Sequence, residues 1–354
     1  MLFNPLQTGS VSLANRILMA PLTRARADAG HMPNALMAEY YSQRATAGLI
    51  VTECTMVAEN TSAFHAEPGI YNAEQIAAWK VVTDAVHAKG GKIFMQIWHA
   101  GRAAVPAFNN GVENVGPSAI AIDSEVHTPD GKVPNAVPRE LRLDEIPALV
   151  AAYAQGAKNA IAAGFDGVEV HGANGYLIDQ FLRDSANTRT DSYGGSIENR
   201  ARFLFEVLTA VSAAIGSDKV GLRLSPINSY NSMKDSDPLA LISYLTTRLN
   251  EFNLAYLHLM RSDFFQAQTG DVLTIARANY KGVLIGNMGY NADEAAQAIN
   301  NSTLDAVAFG TSFLANPDLP ARIKQGAALN APDAATFYTP GAKGYTDYPS
   351  LQAA

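Results

Sequence analysis

A short segment at the end of an apolar run carries three neutral side chains that can form hydrogen bonds. His171, Asn174 and Tyr176 lie within six residues, and the run 167–171 leads into them. The segment 171–176 contains no carboxylate. An imidazole, an amide and a phenol together suit a site that polarises a carbonyl oxygen and transfers one proton. We therefore infer a reduction whose hydride comes from another group.

Strands and helices must position these side chains, and short apolar runs alternate with helical segments along the chain. Near-continuous apolar runs are typical of strands buried on both faces. The predicted strands are 16–21, 49–53, 92–98, 167–171, 220–225, 255–259, 282–286 and 306–310. Apolar residues at helical spacing predict helices at 74–88, 196–215, 239–252 and 292–301.

Eight strand-like runs with intervening helices predict the α/β class and a single-domain (β/α)8 TIM barrel over residues 1–354. An open doubly wound sheet would more often show a Gly-x-Gly-x-x-Gly turn after its first strand, and none is present there. Two segments depart from the alternation. The irregular stretch of about 101–142 follows the third strand, and we expect it to cover part of the active site. The aromatic tail of about 330–354 is expected to pack on the barrel.

Composition and charge exclude several classes of function. The formal net charge is -7, which argues against nucleic acid or an anionic membrane as a partner. The lone Cys54 excludes an internal disulfide and any four-cysteine metal site, and no metal is expected. The sequence has neither a leader pattern nor an apolar stretch of membrane-spanning length. A cytoplasmic protein is therefore expected.

Barrel enzymes use the carboxyl ends of their strands, and here those positions carry mostly amides, hydroxyls, an imidazole and a guanidinium. Glu53 is the exception, and we expect a buried structural carboxylate. The turns 286–289 and 310–312 lead towards helices, where backbone N–H groups can bind phosphate. His171 alone would more often be a core or capping histidine. With Asn174 and Tyr176 beside it, the functional interpretation is the stronger one.

The chain resembles the old yellow enzyme family of FMN-dependent ene-reductases from near residue 3 to near residue 351. The resemblance rests on long ordered motifs at 19–24, 96–102, 171–177, 187–200, 315–319 and 344–349. It implies an NAD(P)H-dependent flavin oxidoreductase that holds FMN tightly but without a covalent bond. NADPH or NADH reduces the FMN, and an activated alkene takes the hydride at its β-carbon in a ping-pong reaction.

The resemblance also implies roles for individual residues toward FMN. Thr23 would bind the flavin carbonyl O4, Gln96 the pyrimidine edge, and Arg223 the N1 and O2 region, where reduction places negative charge. An interior ion pair is the alternative role for Arg223. The remaining cofactor positions frame the ring and the phosphate, and they are Pro21, Leu22, Cys54, Asn287, Met288, Gly289, Phe309, Gly310 and Thr311.

For the substrate, the resemblance assigns catalysis to the three residues of the opening segment. His171 and Asn174 would donate hydrogen bonds to the substrate oxygen, and Tyr176 would protonate the α-carbon from the face opposite the flavin. The pocket would be lined by Thr23, Phe64, Trp98 and Tyr345 in addition, although simple core packing is an equal interpretation for Tyr345. Substrates would be enones, enals, maleimides and nitroalkenes, with nitro compounds or nitrate esters as further candidates and phenols as ligands.

One position departs from the family pattern. Many relatives carry Arg after the glycine of the last strand, where it pairs with the FMN phosphate, but this chain has Thr311. Thr311 supplies a hydroxyl and no charge, so we expect backbone N–H groups to hold most of the phosphate and FMN to dissociate more readily.

Two other functions remain open at the level of sequence. A phosphate-binding barrel isomerase or aldolase would use the same two turns, but it would need a carboxylate base or a Schiff-base lysine at a strand end. A non-catalytic flavin-binding sensor would use the same pocket with incidental turnover. The sequence leaves the physiological substrate open, and it is compatible with a monomer or a homodimer.

Overall fold

The computed structural model describes residues 1–128 and 131–351, and eight of its strands close into a parallel barrel. These are β1 (Ile17–Met19), β2 (Ile50–Met56), β3 (Ile93–Trp98), β4 (Gly167–Gly172), β5 (Val220–Leu224), β6 (Tyr256–Met260), β7 (Leu284–Asn287) and β8 (Ala306–Phe309). Neighbours follow chain order, and β8 pairs with β1 to close the ring. Every residue of these strands is buried, as their apolar runs predict. The predicted barrel is therefore confirmed.

Helices cover the outside of the barrel. They are α1 (Ala35–Gln43), α2 (Ala73–His87), α3 (Ile146–Ala162), α4 (Leu177–Leu182), α5 (Ile197–Ile215), α6 (Pro238–Arg248), α7 (Val272–Asn279), α8 (Ala292–Asn300), α9 (Thr311–Ala315) and α10 (Leu319–Gln325). None of the described helices is both long and apolar enough to cross a membrane.

Side-chain caps set the starts of several helices. Ser196 accepts a hydrogen bond from the backbone N–H of Asn199 at 3.3 Å, so α5 begins where its sequence predicts. Asn291 and Glu294 form a reciprocal capping box at α8. The helix predicted at 239–252 is shorter than expected, because α6 ends at Arg248 and a 3-10 turn, Leu249–Glu251, follows it.

An antiparallel hairpin closes the amino-terminal end of the barrel. Its strands, Leu6–Thr8 and Val11–Leu13, pack apolar side chains against the barrel interior beside Leu18 and Leu49. Gly9, in the turn, has φ of +50°, and a Cβ there would lie 1.9 Å from the Asp218 carbonyl oxygen. Only glycine therefore fits this close approach.

The cover segment between β3 and α3 is more ordered than its composition predicts. It contains 3-10 turns at Gly101–Ala103 and Pro106–Phe108, a parallel pair of Val115–Gly116 with Arg139–Glu140, and an antiparallel ribbon of Glu125–Thr128 with Gly131–Pro134. The buried Arg189 donates to the Pro117 carbonyl at 2.9 Å and to the Leu141 carbonyl at 2.6 Å. One cation thus ties the middle and the end of the cover to the loop after α4.

Two buried arginines after β1 hold the C-terminal tail. Arg24 donates to the carbonyls of Phe337 and Gly344 at 3.1 and 2.7 Å, and Arg26 donates to that of Gly341 at 3.0 Å. Tyr345 stacks on Tyr40 with ring centroids 4.0 Å apart. The tail therefore packs on the barrel, where Arg24 and Arg26 hold it beside the segment that follows β1.

Candidate active site

A cavity of about 370 Å³ opens where the barrel strands end. All twelve positions expected to bind the cofactor line it, as do Phe64, His171, Asn174 and Tyr176. The structure thus brings together residues from seven strand ends and the loop that follows β2. Trp98 and Tyr345 are the two expected site residues that do not line this cavity.

A hydrogen-bonded network inside the barrel orients the Gln96 amide. Gln96 Nε2 donates to the buried Glu169 carboxylate at 2.8 Å, so its oxygen is the amide atom left to face the cavity. Glu169 also accepts from the Tyr256 hydroxyl at 3.1 Å and lies 2.9 Å from His258 Nδ1. Burial raises the pKa of Glu169, but His258, Arg223 and Gln96 outweigh it and lower the pKa below its ordinary value. Glu169 is therefore an ionised partner for the nearby cation.

That cation, Arg223, lies at the end of β5. Its Nη2 donates to the Asn287 side-chain oxygen at 2.9 Å, and Asn287 Nδ2 donates to the Ala308 carbonyl at 2.7 Å. Arg223 Nε is buried without a partner among the described residues. Burial lowers the pKa of Arg223 while Glu169 raises it, and a guanidinium keeps its charge throughout. The site therefore offers a fixed positive charge with a free donor.

The turn after β7 has an uncommon backbone. Met288 has φ of +88° and Gly289 has φ of +68°, and a positive φ at a side chain such as methionine is a strained conformation. Arg261 fixes the turn by donating to the Met288 and Gly289 carbonyls at 2.8 and 2.9 Å. Beside this turn, at the end of the neighbouring strand β8, Gly310 precedes α9, whose exposed first residue is Thr311. These two turns are the expected phosphate-binding region.

His171 reaches the cavity as a neutral imidazole. Burial and the charge of Arg223 lower its pKa from 6.5 to about 3. Its Nδ1 is buried without a partner among the described residues. A neutral imidazole has one N–H, which it can donate to a ligand oxygen.

Asn174 follows β4 in a left-handed conformation, with φ of +58°. Its backbone N–H donates to Ser225 Oγ at 2.8 Å, and its carbonyl accepts from Asn231 Nδ2 at 2.9 Å. Its side-chain oxygen accepts from Asn228 Nδ2 at 2.9 Å. The loop after β5 therefore holds this residue at three atoms, and asparagine tolerates the left-handed region better than most side chains.

Tyr176 lies just before α4 with its ring packed edge-to-face on Trp98, centroids 4.3 Å apart. Burial raises the pKa of Tyr176 well above 10, so the phenol keeps its proton at neutral pH. Trp98 is completely buried behind it. The tryptophan expected to line the pocket therefore acts as a support for the tyrosine that does.

Thr23 and Cys54 form a neutral pair at the ends of β1 and β2. Thr23 Oγ1 lies 3.2 Å from Cys54 Sγ, and burial raises the thiol's pKa well above 9. Glu53, beside them, accepts hydrogen bonds from the Tyr41 hydroxyl and the Arg24 backbone N–H at 3.1 and 3.2 Å. Glu53 is fully buried and does not line the cavity, which agrees with the structural role expected for it.

The structure corrects the position expected for Tyr345. This residue is completely buried against Tyr40, between Arg24 and Arg26, and its hydroxyl has no partner among the described residues. Tyr338 in the same tail lines the cavity instead and stacks on Phe64, centroids 6.2 Å apart. The C-terminal tail holds both tyrosines, and which of them reaches the cavity depends on which one the two arginines bury.

Sequence reasoning also missed aromatic residues contributed by loops after later strands. Tyr230 follows β5, Phe264 follows β6 and Tyr290 follows β7, and each lines the cavity. A second cavity of about 530 Å³ lies between the cover ribbon and the site, and it shares Phe64, Tyr176 and Tyr230 with the first. Only Tyr290 had a sequence signal, because it directly follows the predicted turn 286–289.

The hydrogen-bonding groups of the first cavity fit FMN. Arg223 offers an unpartnered Nε and Gln96 an acceptor oxygen, which match the N1–O2 region and the N3–H of the pyrimidine edge. The two turns at 287–289 and 310–312 lie together on its wall, as a phosphate end requires. The residues present therefore suit an isoalloxazine with an attached phosphate chain.

Comparison with known proteins agrees with this geometry. Residues 1–330 match the model of the NADH:flavin oxidoreductase / NADH oxidase family. The chain is 53% identical over 356 residues to a probable flavin mononucleotide-dependent alkene reductase of Leishmania infantum, covering 99% of this chain and 97% of that protein. It is 44% identical over 362 residues to the chanoclavine-I aldehyde reductase of Penicillium roqueforti, covering 98% and 95%.

Solved structures extend the agreement to the fold. The old yellow enzyme of Trypanosoma cruzi superposes with a TM-score of 0.96 at 44% identity, over 99% of both chains. Morphinone reductase superposes with a TM-score of 0.94 at 46% identity, over 99% of this chain and 96% of that one. The chain belongs to the NADH:flavin oxidoreductase / NADH oxidase family and is an oxidoreductase of the old yellow enzyme type.

Proposed function

We propose that this protein is an FMN-dependent ene-reductase that uses NAD(P)H and reduces activated alkenes such as enones, enals, maleimides and nitroalkenes. One observation carries the proposal. A single cavity combines two neutral donors and a protonated phenol with a buried arginine that suits the flavin. FMN held in this cavity would supply the hydride chemistry that connects the nicotinamide with the alkene.

His171 and Asn174 bind the carbonyl or nitro oxygen of the substrate. A hydrogen bond to that oxygen draws electron density from the conjugated alkene and makes its β-carbon electrophilic. The oxygen becomes more negative as the hydride arrives, so the two donors bind the transition state more strongly than the substrate. One well-placed donor of this kind contributes on the order of 3 kcal/mol. Because both donors are neutral, an uncharged substrate can bind to them without the free-energy cost of burying a charge.

Tyr176 donates the proton that the α-carbon needs. Its burial disfavours the phenolate, which keeps the proton available and also requires that the phenol regain it from solvent after each turnover. Trp98 and the start of α4 hold the ring in place. Trp98 therefore contributes to proton transfer by holding the Tyr176 ring in place.

The nicotinamide and the alkene use the same cavity in turn, which makes the kinetics ping-pong. Arg223 stabilises the negative charge that reduction places near it. Two pairs of aromatic rings line the cavity, Phe64 with Tyr338 and Tyr230 with Phe264, and such flat ring surfaces favour a broad range of planar substrates over a single one. Phenols are expected to occupy the same position as competitive ligands.

The visible spectrum of the purified protein tests the proposal. We expect a flavin spectrum that bleaches with NADPH under anaerobic conditions and returns when 2-cyclohexenone is added. A colourless preparation that binds added FMN would still agree with the proposal, given Thr311. Failure to bind added FMN would overturn it, as would a reduced flavin that no activated alkene reoxidises.

A further inference from the structure

The loop after β5 places a buried amide, Asn228, directly behind Asn174. Asn228 is completely buried, and its side chain is satisfied at both ends. Its Oδ1 accepts from the backbone N–H of Phe264 at 3.2 Å, and its Nδ2 donates to Asn174 Oδ1 at 2.9 Å.

These contacts fix the orientation of the Asn228 amide and, through it, that of the Asn174 amide. A backbone N–H can only donate, so the Asn228 atom that faces Phe264 must be the oxygen. The Asn228 atom that faces Asn174 is then the NH2 group, which also can only donate. Asn174 must therefore present its oxygen to Asn228, which leaves its own NH2 group for the cavity. No acceptor among the described residues takes a hydrogen bond from that group.

We propose that Asn228 is a positioning residue that makes Asn174 a hydrogen-bond donor toward the substrate oxygen. An unrestrained asparagine amide can turn by 180° and present its oxygen instead, which would repel a carbonyl or nitro oxygen. Asn228 removes that orientation. This inference rests on the function proposed above, because it matters only if Asn174 binds the substrate oxygen.

The same contact links the donor to the segment after β6. Phe264 lines the cavity, and its N–H is what forces the Asn228 orientation. The backbone of Asn228 is fixed separately, because its N–H donates to the Ser225 carbonyl and its carbonyl accepts from Arg183, at 3.0 and 3.3 Å. A substitution of the Asn228 side chain therefore changes its hydrogen bonds to Asn174 and Phe264, while the backbone of the loop stays anchored.

Replacement of Asn228 by aspartate tests the orientation. A carboxylate has no N–H, so Asn174 would turn its NH2 group toward the new carboxylate and its oxygen toward the ligand. We expect the dissociation constant of the oxidised Asn228→Asp holoenzyme for 2-cyclohexenone, read from the flavin spectrum, to rise by about tenfold or more at pH 8. Asn228→Ala frees the amide without reversing it, so it should cause a smaller loss.

Lowering the pH should restore much of the affinity of Asn228→Asp relative to wild type. A protonated carboxyl can donate to Asn174 Oδ1 as the amide did. The charged groups that face this position are Arg183, which lowers the pKa of such a carboxyl, and Asp263, which binds Ser229 and raises it. 2-Cyclohexenone itself does not titrate, so the ratio of mutant to wild-type affinity isolates the new carboxyl.

A double-mutant cycle separates orientation from general damage. In an Asn174→Ala background there is no amide to orient, so adding Asn228→Asp should not weaken binding further. An equal loss in both backgrounds would mean that Asn228 only supports the loop, and it would overturn the inference. If Asn174→Ala alone left the affinity unchanged, the donor pair of the proposed function would be wrong instead.

Discussion

At the scale of single residues, the cavity keeps its ionisable groups neutral on the substrate side. Burial lowers the pKa of His171 and raises that of Tyr176, so both side chains are neutral. Arg223, on the barrel side, keeps its charge and is balanced by Glu169. This division places the fixed charge where the flavin is expected and neutral donors where an uncharged alkene is expected.

The phenol of Tyr176 should matter in only one half of the reaction. We expect Tyr176→Phe to be reduced by NADPH at a near-normal rate, because that step needs no proton from this residue. Reoxidation by 2-cyclohexenone should slow by about 10²-fold or more, the usual contribution of a general acid. Stopped-flow traces of the two half-reactions measure this directly. An unchanged rate of reoxidation would mean that another group donates the proton.

The two tail tyrosines should differ sharply when each is changed. Tyr338→Ala removes a cavity wall and should weaken binding of 2-cyclohexenone several-fold, about 1 kcal/mol for a partly exposed aromatic contact. Tyr345→Phe is the matched control, because it removes only a buried hydroxyl that has no partner among the described residues. It should leave ligand binding unchanged and the thermal midpoint equal or higher. Weaker binding in Tyr345→Phe alone would contradict this assignment.

The difference between these tyrosines marks the limit of sequence reasoning for side chains. The twelve positions expected to bind the cofactor line one cavity, and their place there could be predicted because strand ends and ordered motifs specify it. Tyr338 and Tyr345 lie in one irregular segment, where no periodicity indicates which side faces the barrel. Only the contacts of Arg24 and Arg26 with the tail carbonyls decide it, and those are long-range contacts.

At the scale of elements, the turns after β7 and β8 form one wall of the site without a cation at the start of α9. Thr311 is exposed there and supplies no charge. Arg261 instead binds the carbonyls of the first turn and forms an ion pair with Glu294 at 3.3 Å. Backbone groups are therefore the main expected contacts of the phosphate.

Thr311→Arg should tighten FMN binding. A charge-assisted hydrogen bond to a phosphate is worth roughly 1.5–3 kcal/mol, so the affinity of the apoprotein should rise by at least about tenfold. Titration of apoprotein with FMN at two salt concentrations measures the gain in affinity and the share of it that comes from the added charge. Thr311→Gln controls for side-chain length without charge. Equal affinities for wild type and the arginine variant would show that the backbone already satisfies the phosphate.

The barrel strands could be predicted at this scale because each is buried on both faces and reads as one apolar run. The strands of the cover could not be predicted, because they are only two to four residues long and mostly exposed. Long-range contacts such as those of Arg189 order the cover, and no local pattern encodes them.

At the scale of the whole molecule, two fully buried carboxyls make stability depend on pH. Burial raises the pKa of Glu67 from 4.5 to about 8 and that of Glu53 to about 7. The folded chain therefore holds these protons more tightly than the unfolded chain does. Their contribution to stability is complete below about pH 4.5 and is lost as the pH rises through 7 and 8.

Glu67→Gln should reduce the loss of stability that accompanies a rise in pH. Glu67 accepts a hydrogen bond from the Ala63 N–H at 2.7 Å, and its other oxygen has no partner among the described residues. A glutamine keeps the acceptor and cannot ionise. Between about pH 5 and pH 8 the free energy of unfolding should then fall less steeply, by up to about 1.4 kcal/mol per pH unit.

Thermal unfolding at saturating FMN measures this slope without a change in cofactor occupancy. The same substitution at the exposed Glu125 controls for the loss of one carboxylate. A steeper fall in Glu67→Gln, or an equal one, would contradict the protonated state expected for the buried carboxyl.

The attachment of the tail to the first strand has a consequence for how the protein is made. Arg24 and Arg26 emerge from the ribosome early, whereas the carbonyls they bind, from Phe337 to Gly344, emerge more than 300 residues later. Until then these two guanidinium groups lack their carbonyl acceptors in the tail, and Tyr338 is missing from the pocket wall. A nascent chain with all eight barrel strands translated thus still lacks one wall of the pocket, which the tail supplies through Tyr338.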